Sequence, residues 1–163
     1  MADAVGMSNS FRIVPLPLEA FSSLIALDDS ELLKHGARRV IADKHPGFPC
    51  RVSLVDAEPG ERLLLLPFMH HDVASPYRAS GPIFVRELAQ EASLPPDEIP
   101  QVATTRLLSV RAYDADGIMV GCEVAQGSDL PKQIDHFLAN PQISYLHLHN
   151  ARAGCYSCRV ERV

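Results

Sequence analysis

The chain has 163 residues, of which 47% are hydrophobic and 21% are charged, and its formal net charge is −5. This composition argues against disorder over most of the chain and predicts a single globular domain, residues 11–163, preceded by a disordered leader at residues 1–10. No run of Lys and Arg exceeds two residues, so we expect no nucleic-acid partner.

The longest apolar run, residues 63–69, falls far below the ~20 residues that span a bilayer. The first ten residues lack the charge and apolar pattern of a signal peptide. We therefore expect no membrane association and a cytoplasmic protein whose four cysteines are reduced.

Short helices and extended segments are predicted up to residue 94. Pro17 stands where a first helical turn would begin, and Asp29 and Gly36 suit the start and the end of a second helix. The elements predicted there are, in order, a strand at 11–14, a helix of about three turns from Pro17, a short helix at 30–35, extended stretches at 37–43, 50–56 and 61–69, an irregular segment at 70–82 and a helix at 84–94.

The last sixty residues predict a β-β-α-β-β order. Two strands flank "ADG", where Gly117 suits the left-handed position of a hairpin turn. In that register Val110 opposes Cys122, so Cys122 is predicted to be buried. Ser128 is predicted to cap a helix that ends before residues 140–141, and strands at 143–149 and 155–162 follow. The fold class predicted is α+β, with a largely antiparallel sheet and two or three packing helices.

The segment "YLHLHNARAGCYSC", residues 145–158, predicts a hairpin in which His149 opposes Cys155 and Leu146 faces Cys158. The alternation places Leu146 and Cys158 on an apolar face, so Cys158 is predicted to be buried. His147, His149 and Cys155 share the opposite face with Arg159. The two cysteines then point to opposite sides, so the C-x-x-C spacing predicts neither a chelate nor a dithiol.

Three interpretations of this polar face are open. It is the solvent side of a half-buried sheet, a ligand or substrate cleft, or a metal site, because His147, His149 and Cys155 have usable ligand spacing for a transition metal. A closed structural zinc site normally has four ligands, and the hairpin offers at most three on one face. We therefore predict that no metal and no cofactor is bound.

Two other segments contain residues suited to chemistry. Cys50 follows Pro46 and Pro49 and lies beside Arg51, whose charge would favour a thiolate, although a buried structural cysteine fits the position as well. Within residues 70–82, Tyr77, Arg78 and Ser80 suit recognition of a carboxylate or phosphate, the alternative being an ordinary solvated loop.

Four segments in order, "PGFPCR", "SPYRASGPIFV", "RAYDADG" and "HLHNARAGCYSCRVER", resemble an uncharacterised bacterial family, the domain of unknown function 1203. The resemblance covers residues 11–162 and implies a stand-alone bacterial domain without an assigned activity. In the family pattern the position of Cys158 varies and a second histidine at position 149 is not fixed. The resemblance therefore favours a shared site made of Tyr77, Arg78, His147, Arg152 and Cys155.

Three functions follow as hypotheses. The first is a binding domain for a small anionic metabolite, held on the hairpin face beneath residues 70–82, with Arg78 and Arg152 close to His147. The second is an enzyme with Cys155 or Cys50 as nucleophile and His147 as base. The third is an interaction protein, such as a homodimer, without a ligand. The ligand-binding residues predicted for the first are Tyr77, Arg78, Ser80, His147, His149, Arg152 and Arg159.

Overall fold

The computed structural model describes residues 9–163, which form eight strands and short helices. The strands are β1 (Phe11–Val14), β2 (Arg38–Ile41), β3 (Arg62–His71), β4 (Ala79–Arg86), β5 (Leu107–Tyr113), β6 (Met119–Gln126), β7 (Tyr145–Asn150) and β8 (Tyr156–Arg162). The helices are α1 (Ser22–Ile25), α2 (Asp29–Lys34), α3 (Gln101–Thr104) and α4 (Leu130–Leu138), with 3-10 turns at Leu18–Ala20 and Gly127–Asp129.

The strands form two antiparallel sheets. One has five strands in the order β1-β8-β7-β5-β6, and the other has three in the order β2-β3-β4. Strands β5 and β6, helix α4, and strands β7 and β8 follow one another along the chain. The predicted α+β class and the β-β-α-β-β order are therefore confirmed.

One face of the five-stranded sheet is covered by α4. The helix buries Leu130, Ile134 and Leu138 in a core that also contains Leu146 and Leu148 of β7. Their spacing along the helix places all three side chains on one side. Ser128 lies in the 3-10 turn ahead of α4 and does not cap it, which corrects the predicted start.

The predicted disordered leader falls mainly on residues 1–8, which lie outside the described residues. Its last two positions are ordered by contacts with distant parts of the chain. The backbone N–H of Asn9 donates to Asp135 Oδ1 at 2.8 Å, and the Ser10 hydroxyl donates to Asp97 at 3.0 Å. The described chain thus makes tertiary contacts from residue 9 onward.

Two predicted elements in the first half of the chain are wrong. Residues 84–94 do not form a helix, because Ile83 and Val85 are buried on one side of β4 and pair with β3. Residues 50–56 are not a strand, because the chain turns there and Leu54 takes a positive φ of 55°. In both places tertiary contacts outweigh the local pattern.

The two helices predicted near the N-terminus are also shorter or shifted. The helix predicted from Pro17 is divided into a 3-10 turn and the single turn of α1. Helix α2 is capped by Asp28, whose Oδ1 accepts the Glu31 N–H at 2.8 Å, and not by Asp29. Gly36, with a φ of 69°, follows its end as predicted.

The predicted burial of Cys122 is wrong because of one inserted residue in the β5–β6 hairpin. Tyr113 pairs with Met119, as the predicted register requires, but Ala112 pairs with Gly121, so a bulge at Val120 shifts every later pair by one position. A shift of one residue turns each side chain to the other face. Cys122 therefore opposes Arg111 and is exposed.

This corrected register predicts the order in which the thiols react. We expect Cys122 to react first with iodoacetamide, Cys155 second, and Cys50 and Cys158 only on unfolding, because the last two are buried. Burial also raises the pKa of the Cys158 thiol to about 12, which suppresses its thiolate. Peptide mapping after timed labelling measures the order. Labelling of Cys158 before Cys122 in the folded protein would contradict the register.

A buried ion pair connects the loop before β3 to the five-stranded sheet. The Arg106 guanidinium donates to both carboxylate oxygens of Asp56 at 2.7 Å, and the Asp56 side chain is completely buried. Burial by itself would raise the pKa of Asp56, but the hydrogen bonds from Arg106 and from the Gly47 N–H lower it below its usual value. The folded state therefore favours the charged carboxylate.

Removing the charge of Asp56 tests how much the ion pair contributes to the free energy of unfolding. We expect Asp56→Asn to lower the free energy of unfolding by about 3 kcal/mol, because it leaves Arg106 without its carboxylate. Asp72→Asn is the matched control, since Asp72 pairs with Arg78 at the surface and such pairs contribute no more than about 1 kcal/mol. Urea unfolding measures both changes, and equal losses would contradict the assignment.

Candidate metal centre

Strand β7 is buried on both of its faces. Leu146 and Leu148 lie in the apolar core beneath α4, whereas Tyr145, His147 and His149 lie on the opposite face of the sheet. His147 is 2% exposed and His149 is 1% exposed. The polar face predicted from the alternation is therefore a buried surface and not the solvent side of the sheet.

The β7–β8 hairpin has a different register from the predicted one. His149 pairs with Tyr156 and not with Cys155, and a bulge follows, after which Leu148 pairs with Cys158. Cys158 is buried in the apolar core, as predicted. Tyr156 takes the place on the histidine face that the prediction gave to Cys155, because the loop is longer and Ser157 is the extra residue.

The end of β3 lies over this face and adds two more imidazoles. The ring of His70 stacks on Tyr156 at 5.2 Å between centroids and lies 5.1 Å from the ring of His149. The ring of His71 lies 5.0 Å from that of His147. The face is therefore enclosed between the five-stranded sheet and β3.

His71 is fully hydrogen-bonded. Its Nδ1 lies 2.7 Å from the Tyr77 carbonyl, and its Nε2 lies 2.6 Å from the Tyr145 hydroxyl. Because a carbonyl can only accept, Nδ1 donates to Tyr77, and Nε2 forms the hydrogen bond with the Tyr145 hydroxyl. His71 thus supports the face without offering a free nitrogen.

The other three imidazoles converge. One ring nitrogen each from His70, His147 and His149 lies within 4.8 Å of the other two. Each ring also has a buried nitrogen without a hydrogen-bond partner, which is Nδ1 in His70 and His147 and Nε2 in His149. Buried polar atoms are nearly always hydrogen-bonded, so three unpartnered nitrogens in one cluster make it the candidate site.

The tautomer of His149 follows from its hydrogen bond and determines which kind of ligand would suit this cluster. Its Nδ1 lies 2.9 Å from the Gly154 carbonyl oxygen and must therefore donate. The neutral ring then presents a lone pair at Nε2, the atom that lacks a partner. Metal-bound histidines are commonly held in this way, with the other ring N–H donating to a backbone carbonyl. A lone pair suits a cation and repels an anion.

All three rings are neutral near pH 7. Burial, with a smaller effect from the neighbouring His71, lowers the pKa of His147 to about 2. Burial also lowers the pKa of His149 and of His70 to about 4, and the charge of Arg111 contributes to both. Imidazole binds metals in its neutral form, so these nitrogens are available as ligands without losing a proton.

Arg111 and Arg159 flank the cluster. Arg111 pairs with His147 across β5 and β7, and its Nε donates to the Ser109 hydroxyl at 3.2 Å. Arg159 lies 4.0 Å above the Tyr145 ring and donates to Glu161 at 2.7 Å. Among residues 9–163 Arg111 forms no ion pair, so its charge is uncompensated beside the histidines.

The structure brings only part of the predicted site together. His147, His149 and Arg159 share the face, but Arg78 is exposed and paired with Asp72 at 3.1 Å, and Arg152 is exposed in the β7–β8 loop. None of the described contacts connects either arginine to His147. We therefore find no support for the predicted pairing of Arg78 and Arg152 around this histidine.

The irregular segment is shorter than predicted, and it packs on the β5–β6 turn and beside Tyr113. It comprises residues 72–78, since β3 continues to His71. Ser75 Oγ donates to the Gly117 carbonyl at 2.8 Å, so the segment packs on the β5–β6 turn. The Tyr77 ring lies 6.3 Å from Tyr113. Ser80 lies elsewhere, in a cavity of about 330 Å³ on the three-stranded sheet.

The candidate thiols are separate from the histidine cluster. The Cys50 sulfur is buried and accepts the N–H groups of Ser53 and Arg86. Cys155 is half-buried ahead of β8 and does not belong to the cluster. Buried Arg51 lies near both thiols and donates from Nε to the Tyr156 carbonyl at 2.8 Å. Its role there is to fix the backbone of Tyr156.

Sequence reasoning missed His70, Tyr156 and Arg111. His70 lies in β3, one residue beyond the predicted end of this strand at residue 69, and its position over β7 depends on the packing of two sheets. The "HH" pair at 70–71 was a usable signal, because one more step of the strand would have placed an imidazole on each of its faces.

Comparison with known proteins assigns the family. The model of the family described as protein of unknown function (DUF1203) matches residues 47–162, and the chain belongs to this family. All three clustered histidines and Arg111 fall within the matched range. No curated protein and no solved structure matches the chain. Among residues 9–163, no helix is long and apolar enough to cross a membrane.

The assigned tautomer of His149 is open to direct measurement. In chelator-treated protein at neutral pH, long-range ¹H–¹⁵N correlation spectra are expected to show His149 protonated at Nδ1 and unprotonated at Nε2, because the Gly154 carbonyl accepts only from Nδ1. His136, which is exposed on α4, serves as the reference for a ring in water. A proton on His149 Nε2 would remove the lone pair from the cluster and contradict the geometry.

Proposed function

We propose that this protein is a metal-dependent domain for binding a small molecule, in which His70, His147 and His149 hold a divalent first-row transition metal ion. The observation that carries the proposal is the convergence of three imidazoles, those of His147 and His149 buried and that of His70 half-buried, which each have a buried nitrogen without a partner. An ion bound by one nitrogen from each ring would have three protein ligands.

The donor set supports a particular class of ion. Imidazole nitrogen suits zinc, copper, iron and nickel, whereas magnesium and calcium prefer oxygen ligands. Three protein ligands are typical of catalytic centres, which keep a coordination position for water or substrate, whereas structural zinc sites use four. The centre therefore fits ligand binding or chemistry better than a purely structural role.

The metal centre modifies the hypotheses drawn from the sequence. The expectation of no bound metal rested on counting ligands from the hairpin alone, and His70 adds a third imidazole in place of Cys155. The small anionic metabolite is kept as the proposed ligand class, now bound at the metal. A cysteine–histidine enzyme receives less support because the cluster contains no thiol, and a homodimer stays a prediction.

Metal titration tests the proposal. We expect chelator-treated protein to bind about one Co²⁺ or Zn²⁺ ion per chain in isothermal titration calorimetry, with Co²⁺ giving visible absorption bands of a bound ion. His147→Gln and His149→Gln should each weaken binding by at least about 100-fold, since removal of a ligand exceeds the 10–100-fold effect of losing a supporting group. His70→Gln, at the less buried position, should do the same.

His136→Gln is the matched control, because it removes an exposed imidazole outside the cluster and should leave binding unchanged. Circular dichroism and thermal unfolding confirm that each variant is folded. Absence of binding in the folded wild-type chain, or unchanged affinity in all three cluster variants, would overturn the proposal.

A further inference from the structure

The charge around the cluster indicates what the metal would bind. We infer that the ligand of this site is a small anion with a carboxylate or phosphate group, which places one oxygen on the metal and another on the guanidinium of Arg111. This inference rests on the proposed metal centre and adds the chemical class of its ligand and a second residue that recognises it.

The charge balance of the site favours an anionic ligand. Three neutral imidazoles leave the two positive charges of a divalent ion uncompensated. The cluster consists of three histidines and contains no carboxylate or thiol. Arg111 adds a further positive charge beside them. A site that is this positive and largely excluded from water favours an anion as the remaining ligand.

Arg111 lies where it can contact a molecule bound at the cluster. It lies directly across β5 and β7 from His147, where paired side chains have Cβ atoms about 5 Å apart. It is on the histidine face, because the next residue on that face, Tyr113, stacks on Tyr145 at 5.4 Å and lies 4.2 Å from His71. The guanidinium is therefore within reach of a molecule coordinated at the cluster.

Arg111 has guanidinium N–H groups that are not used within the described part of the chain. Its Nε donates to the Ser109 hydroxyl, a side-chain hydrogen bond connects it to Tyr113, and it has no acidic partner among the described residues. Arg159, the other arginine of this face, is already bound to Glu161 and stacked on Tyr145. A guanidinium N–H donates a charge-assisted hydrogen bond to a carboxylate or phosphate oxygen, and Arg111 is the arginine of this face without an acidic partner.

Arg111 cannot be a residue that helps to hold the metal. A guanidinium near the cluster repels a divalent cation, so the residue would weaken metal binding in the absence of an anion. Replacing Arg111 is therefore expected to leave metal affinity equal or higher and to lower anion affinity at the metal. Replacing a purely structural residue would lower both affinities.

The experiment uses the Co²⁺-loaded protein and follows the visible spectrum of the ion. Acetate and inorganic phosphate are the probes, and acetamide, an uncharged molecule of the same shape as acetate, is the control ligand. We expect both anions to shift the spectrum saturably and acetamide to leave it unchanged. Arg111→Gln should weaken acetate binding at least about tenfold, as expected for a lost hydrogen bond to a charged group.

Arg152→Gln is the matched control variant, because it removes an exposed arginine with no described contact to the cluster, and its anion affinity should equal that of the wild type. Chelator-treated wild-type protein should bind neither anion by calorimetry. If Co²⁺ does not bind, the metal centre fails and the inference fails with it. If Co²⁺ binds but Arg111→Gln leaves acetate affinity unchanged, or if the anions bind without metal, only the inference is overturned.

Discussion

Burial of strand β7 on both faces is the constraint on which the site depends. One face supplies Leu146 and Leu148 to the core, so the strand cannot shift without losing that packing. The same register holds His147 and His149 away from water on the other face. A buried nitrogen without a partner costs about 1–3 kcal/mol, so the cluster is unfavourable by itself and is maintained by the packing around it.

The bulge in β8 determines how His70 packs on the histidine face. It turns Tyr156 toward His149, and the ring of Tyr156 then supports His70 from one side by stacking. Arg51 holds the Tyr156 carbonyl from the interior, so a residue more than a hundred positions away in sequence fixes the bulged backbone. Bulges next to functional sites commonly redirect a side chain in this way.

The sequence was informative where one face of a strand is buried in a single core. It predicted the α+β class, the final hairpin and the position of His147 and Cys158 on opposite faces of the sheet, because each follows from alternation. It could not predict the register of Cys122, since an inserted residue at Val120 leaves no mark in the composition of the strand. Nor could it predict the position of His70, which depends on how two sheets pack.

That packing also determines how the centre relates to stability. His70 comes from the three-stranded sheet and His147 and His149 from the five-stranded sheet, so an ion held by all three would cross-link the two sheets at the point where β3 lies over β7. Binding to an arrangement that only the folded chain presents adds its free energy to folding. The nitrogens without partners lower the stability of the metal-free protein. A metal ion bound at the same cluster would connect the two sheets and raise that stability.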